Sequence, residues 1–167
     1  MKILNIHGYK GSVENSACLV LKEMGFDVIS PQIDYDTESF ENILDNLRKI
    51  FTENMPDYIV GTSLGGAFAL LVSAENSVPV ILVNPCLMPE ITLPELGYNG
   101  YISLVNFFND FSADPEKTYA IIGGQDEVIN YHENVTMKII RNCTVIPDGK
   151  HSGATLPLKE FFGELIK

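Results

Sequence analysis

Residues 57–66 read Asp57-Tyr58-Ile59-Val60-Gly61-Thr62-Ser63-Leu64-Gly65-Gly66. A short apolar run leads into Gly-Thr-Ser-Leu-Gly, and a small, apolar stretch from Leu64 to Ala74 follows. The pattern G-x-S-x-G between a strand and a helix predicts a sharp turn that forces its middle residue into a strained backbone conformation. Flanking glycines keep side chains clear, so the Ser63 hydroxyl should stand exposed. The helix that follows brings its N-terminal amides and the positive end of its dipole to the same place. Taken alone the pattern is weak, because a glycine-rich helix start also serves close strand–helix packing. The flanking strand and helix give it its meaning.

Working outward from this turn, apolar runs recur along the chain. They are KILNIH at Lys2, FDVIS at Phe26, VPVILVNP at Val78, TYAIIGG at Thr118 and NCTVIP at Asn142. Each is short, rich in Ile and Val, and bounded by Gly, Pro, Asn or Asp, as buried parallel strands are. Helical candidates lie between them: Ser12 to Met24, ending at Gly25; Thr37 to Asn54; Leu64 to Ala74; Glu127 to Ile140; and Leu156 to Ile166. In the second of these, Phe40, Ile43, Leu44, Leu47, Ile50 and Phe51 fall at helical intervals. Strand alternating with helix predicts βαβ units and a mostly parallel sheet, an α/β fold. The one irregular stretch, 86–115, holds Pro89, Pro94, Gly97 and Gly100, then Tyr101, Phe107, Phe108 and Phe111. It reads either as a small lid-like insertion or as a crossover helix that only covers the sheet.

The length, 167 residues, suits one domain spanning 1–167. The formal net charge is −11. Such a surface repels phosphate backbones and anionic lipid, so nucleic acid and membrane surfaces are not expected partners. The apolar start MKILNI is too short for a signal peptide or a membrane span. Cys18, Cys86 and Cys143 are odd in number and widely spaced, and they read as ordinary thiols in a reducing cytoplasm. No metal or other cofactor is expected. The oligomeric state is not legible.

A serine hydroxyl is a poor nucleophile until a base takes its proton. Three histidines are available. His7 lies in HGYKG directly after the first strand, His132 in the polar stretch YHEN, and His151 in DGKHSG after the last strand. In the strand–turn–helix hydrolase arrangement the chain order is nucleophile, acid, histidine. Only His151 follows both Ser63 and a suitable acid at a strand end, so it is the candidate base. His132 reads as a solvated surface residue. Among Asp126, Glu127 and Asp148, Asp126 falls just past the strand TYAII and is the candidate acid. Asp148 reads as shaping the Pro147-Asp148-Gly149 turn, and Glu127 as lying in the first turn of the next helix. The Leu64 N–H would be one oxyanion-hole donor and the Tyr9 N–H, after the first strand, the other. His7 would shape that loop and not carry protons. The expected chemistry is cleavage of small carboxylic esters by a serine esterase through an acyl-enzyme intermediate. A thioesterase would use the same triad, and a non-catalytic interaction protein would need none of it.

HGYKGS (7–12), GTSLGG (61–66), VNP (83–85), GGQDEVINYHE (123–133) and DGKHSG (148–153) together resemble the small bacterial esterases of the YqiA type, within the α/β-hydrolase superfamily. The motifs keep the same order and span nearly the whole chain. The resemblance implies a triad of Ser63, Asp126 and His151. It also implies a minimal α/β-hydrolase fold of six mostly parallel strands in the order 2-1-3-4-5-6, with helices on both faces. The two leading strands of larger relatives have no counterpart before Lys2. That order sets the HGY turn and the Ser63 elbow face to face across a topological switch. Tyr9 and Lys10 stand where lipases of the HGGG kind have glycines, so a lipase-like oxyanion loop is not expected; the segment after VNP is proline-rich and does not match, so substrate preference does not carry over.

Overall fold

A computed structural model describes residues 1–100 and 113–167. Six strands form one sheet: β1 (Lys2–Ile6), β2 (Asp27–Ile29), β3 (Tyr58–Thr62), β4 (Val80–Val83), β5 (Thr118–Gly123) and β6 (Asn142–Ile146). Their order is β2-β1-β3-β4-β5-β6, as the resemblance implies, and every pairing is parallel.

Side chains on a strand alternate between faces, and the central strands are apolar on both. On one face Leu4, Ile59 and Leu82 meet α2 (Phe40–Asn54) and α3 (Leu64–Asn76) through Phe40, Leu47, Phe68 and Val72. On the other, Ile3, Val60, Ile81 and Ile121 meet α1 (Ser16–Glu23) and the last helix through Leu21 and Phe162. The edge strand β6 is half-exposed because it has a neighbour on one side only. Asn15 caps α1, its Oδ1 accepting from the Cys18 amide. The helix ends where Gly25, at φ 85°, lets the Phe26 N–H reach Leu21 O and its own N–H reach Lys22 O.

Among the described residues three further helices follow: α4 (Pro89–Glu95), α5 (Thr136–Ile139) and α6 (Leu158–Leu165). The helix expected from Glu127 to Ile140 is therefore a single turn. Its first part is held otherwise: the Asp126 carboxylate takes the Val128 and Ile129 amides, and Ile129 and His132 turn into the protein. In the stretch 86–115, read as a small lid-like insertion or a crossover helix, Tyr101, Phe107, Phe108 and Phe111 lie outside the described residues. Cys18, Cys86 and Cys143 are free thiols. Among the described residues no helix is long and apolar enough to cross a membrane.

Candidate active site

β1 and β3 lie side by side, but the chain leaves β1 toward β2 and returns on the other side to form β3. Their carboxyl-end loops therefore meet with no helix between them. Ser63 sits at the β3–α3 junction with φ 52° and ψ −124°. A non-glycine residue held there costs on the order of 1–3 kcal/mol and persists only where its surroundings over-determine it. Here the Ser63 N–H donates to Val83 O at 3.0 Å, and Ser63 O accepts from the amides of Gly66 and Cys86, each at 2.9 Å.

The close approach of the two loops depends on glycine. A side chain on Gly65 would run into the carbonyl oxygens of Ile6 and His7, and one on Gly8 would come within 2.8 Å of Ser63 Cβ. Gly8 thus brings the backbone before Tyr9 directly onto the elbow. That loop is fixed from beneath. The buried His7 ring accepts from the Ile33 N–H at Nε2, so Nδ1 carries the proton and donates to Gly8 O at 2.9 Å. Tyr35 Oη donates to His7 O at 2.6 Å. With both nitrogens engaged, His7 shapes the loop, as expected.

Asp126 follows β5, and His151 lies in the turn after β6. His151 Nδ1 is 2.9 and 3.1 Å from the two Asp126 oxygens. The carboxylate is 8% exposed as a residue and accepts four N–H groups, from His151, His132, Val128 and Ile129. Burial pushes its pKa up, but the hydrogen bonds from His132, His151 and the Ile129 amide outweigh this and hold it well below the usual carboxylate range. Ser63 and His151 line one cleft of about 450 Å3 with Gly8, Tyr9, Thr62 and Val83. Among the described residues Ser63 Oγ is unbonded; the link to His151 is commonly long without substrate. Asp148 is exposed, and among the described residues its carboxylate accepts a hydrogen bond only from Gln125, at 3.4 Å. No group of three His, Cys, Asp or Glu among the described residues is placed to hold a metal.

Three residues stand apart from expectation. Glu127 is not in a helix; its Oε2 accepts the His151 N–H at 3.2 Å. His132 is not on the surface but 5% exposed, bonded to Asp126. Asn84, for which the sequence suggested no role, is fully buried at φ 44°. Its Nδ2 donates to Lys150 O and His151 O, each at 2.9 Å, and its Oδ1 accepts from Gly123 N–H at 2.7 Å. It ties the ends of β4 and β5 to the histidine turn.

The sequence matches the uncharacterised protein family UPF0227 over residues 2–157. The chain belongs to this family. UPF0227 is the YqiA-type family whose motifs the sequence resembles. Solved structures place its fold. Est1E from Butyrivibrio proteoclasticus superposes with a TM-score of 0.70 at 22% identity, covering 98% of this chain and 87% of that one. A protein assigned to the alpha/beta hydrolase superfamily from Xanthomonas campestris pv. campestris gives 0.69 at 20% identity, covering 98% and 96%. MGS-MChE2, an alpha/beta hydrolase enzyme from the metagenome of lagoon sediments at Mar Chica, Morocco, gives 0.67 at 15%, covering 98% and 88%. This UPF0227 member therefore has the α/β-hydrolase fold.

Its Asn84 offers a direct test of how the histidine turn is held. Asn84→Ala leaves buried backbone groups unpaired and puts a poorer residue at positive φ, a loss of about 1–3 kcal/mol. Asn84→Gly removes the backbone cost but not the lost hydrogen bonds. Urea unfolding should therefore find both variants destabilised, with Gly close to Ala. A glycine variant as stable as the parent would show that the dihedral, not the hydrogen bonds, set the need for asparagine.

Proposed function

We propose that this protein is a serine esterase acting on small, uncharged carboxylic esters. The observation that carries the proposal is that His151, hydrogen-bonded to Asp126, lines the same cleft as the strained Ser63. Ser63 Oγ attacks the ester carbonyl carbon while its proton passes to His151 Nε2. The carbonyl π electrons move onto oxygen, where the amides of Leu64 and Tyr9 would stabilise the charge. Asp126 holds His151 in the tautomer that leaves Nε2 free and stabilises the imidazolium. Collapse expels the alcohol, which leaves with the proton from His151, and an acyl-Ser63 ester remains. Water, deprotonated by the same imidazole, attacks that ester; the bond from the acyl carbon to Ser63 Oγ breaks, Oγ takes the proton back from His151, and the carboxylic acid leaves. The fold shared with proteins described as hydrolases supports this class of reaction, though fold alone does not fix it.

Two features point to the substrate class. The net charge of −11 opposes the approach of a phosphate-bearing acyl-CoA. The cleft is walled partly by Ala17, Leu19 and Val83, enough to bury a short acyl chain. An apolar pocket gains about 0.8 kcal/mol per methylene buried, so a shallow one stops gaining after a few carbons. A series of p-nitrophenyl esters should therefore give its highest kcat/KM at about two to six acyl carbons. Matched acyl-CoA compounds should be poorer. A maximum at long chains would favour a lipase reading instead, and acyl-CoA turning over faster than the matched ester would favour the thioesterase reading.

A further inference from the structure

Asp126 is shared between two imidazoles. His151 approaches it from the substrate cleft and His132 from behind. His132 Nε2 lies 3.1 Å from Asp126 Oδ2, and its Nδ1 lies 2.9 Å from Thr136 Oγ1. An ionised carboxylate only accepts, so Nε2 carries the proton and Nδ1 takes the Thr136 hydroxyl. A second cleft of about 210 Å3, lined by Asp126, His132, Glu133 and Met137 but not by Ser63 or His151, reaches this pair.

We propose that His132 is a positioning residue for the triad, fixing the Asp126 carboxylate so that both its oxygens face His151 Nδ1. This rests on the reading of Ser63, Asp126 and His151 as a triad. The Val128 and Ile129 amides bind Oδ1 alone, which leaves Oδ2 without a fixed partner other than the two rings. An unopposed His151 would let the carboxylate turn with each movement of the imidazole during proton transfer. His132, held by Thr136 on a one-turn helix, ties Oδ2 to the scaffold instead. It also shares Oδ2 with His151, so one carboxylate oxygen accepts from both rings. Among the described residues, the other titratable groups facing the two rings are Glu127 at the His151 amide, Glu133 in the rear cleft, and Tyr131, whose ring centroid is 6.4 Å from that of His132.

The test compares His132→Leu, which removes the N–H donor, with His132→Gln, which keeps one without an imidazole. His132→Leu should lose about tenfold or more in kcat with little change in KM, and the acid limb of its kcat/KM profile should move to higher pH. His132→Gln should recover most of the lost kcat and bring the acid limb back. A leucine variant matching the parent in kcat and profile would overturn the proposal, as would a glutamine variant as impaired as leucine. A second measurement needs neither variant nor substrate. Nitrogen-15 spectra of the wild-type imidazoles should find His132 protonated at Nε2 and bare at Nδ1; the opposite tautomer would also overturn the proposal. A wild-type protein that cleaves no ester but shows the expected tautomer would instead sink the esterase reading.

Discussion

Ser63→Ala is expected to abolish labelling by a fluorophosphonate probe and to cut ester turnover by about 10⁶-fold, the scale of loss when a triad serine is removed. The probe phosphonylates a hydroxyl only when a neighbouring base takes its proton, so it reports the serine's activation without knowledge of the true substrate. The cleft supplies its own controls. Ser12, Ser16 and Ser152 line it beside Ser63, yet none of them sits at the strained strand–helix junction with its positive φ. A cleft that merely concentrated the probe would label these as readily. Peptide mapping should instead find one modified site in the wild type and none in the variant. The thermal midpoint should hardly move, because alanine removes an oxygen that is unbonded among the described residues. Labelling that survived in Ser63→Ala would end the serine-nucleophile reading, whatever the remaining activity.

The parts of this site that were legible in the sequence are those carried by local chemistry. The elbow could be read because a strand, two flanking glycines and a small-residue helix leave one backbone path through Ser63, and the positive φ found there is what that path requires. Asp126 and His151 could be read because each follows an apolar run at its carboxyl end, where a parallel sheet delivers side chains to one rim. His132 and Asn84 could not. Both take their roles from contacts across the chain: Asn84 bonds a turn 66 and 67 residues away, and its own neighbours suggest only the end of a strand. His132 stands between Tyr131 and Glu133 in a polar run, and local polarity pointed it toward water. The signal that could have placed it was Asp126 itself, six residues earlier. A buried aspartate that takes the amides of Val128 and Ile129 stops the helix expected there and curls the chain back over the carboxylate. Tertiary demand on one acid thus decided both the missing helix and the buried histidine.

That acid gives the second large effect. Asp126→Asn should lower kcat by about 10²–10⁴-fold, by analogy with triads whose histidine loses tautomer control. The reason lies in the count of donors. Two imidazole N–H groups and two backbone amides converge on Asp126, and all four need an acceptor. An asparagine offers one oxygen and an NH2 that donates. If the oxygen keeps the two amides, the NH2 faces His151 Nδ1 and His132 Nε2. His151 must then accept at Nδ1 and hold its proton on Nε2, the nitrogen that should take the proton from Ser63. Asp148→Asn is the control, since that side chain is exposed and, among the described residues, hydrogen-bonds only Gln125; its effect should stay below about threefold. The same substitution has a signature in stability. The Asp126 pKa is held below its unfolded value, so the ionised carboxylate stabilises the fold above the ordinary carboxylate range, about 4, and that contribution is lost as pH falls through the folded value. Asparagine does not titrate. The stability gap between wild type and Asp126→Asn should therefore be widest near neutral pH and shrink on acidification below about 4. A merely surface-lying carboxylate would give no such closing gap. If Asp148→Asn proved the damaging change and Asp126→Asn the mild one, the acid would have been misassigned, and the hydrogen bonds between Asp126 and the two histidines would serve the loop and not the reaction.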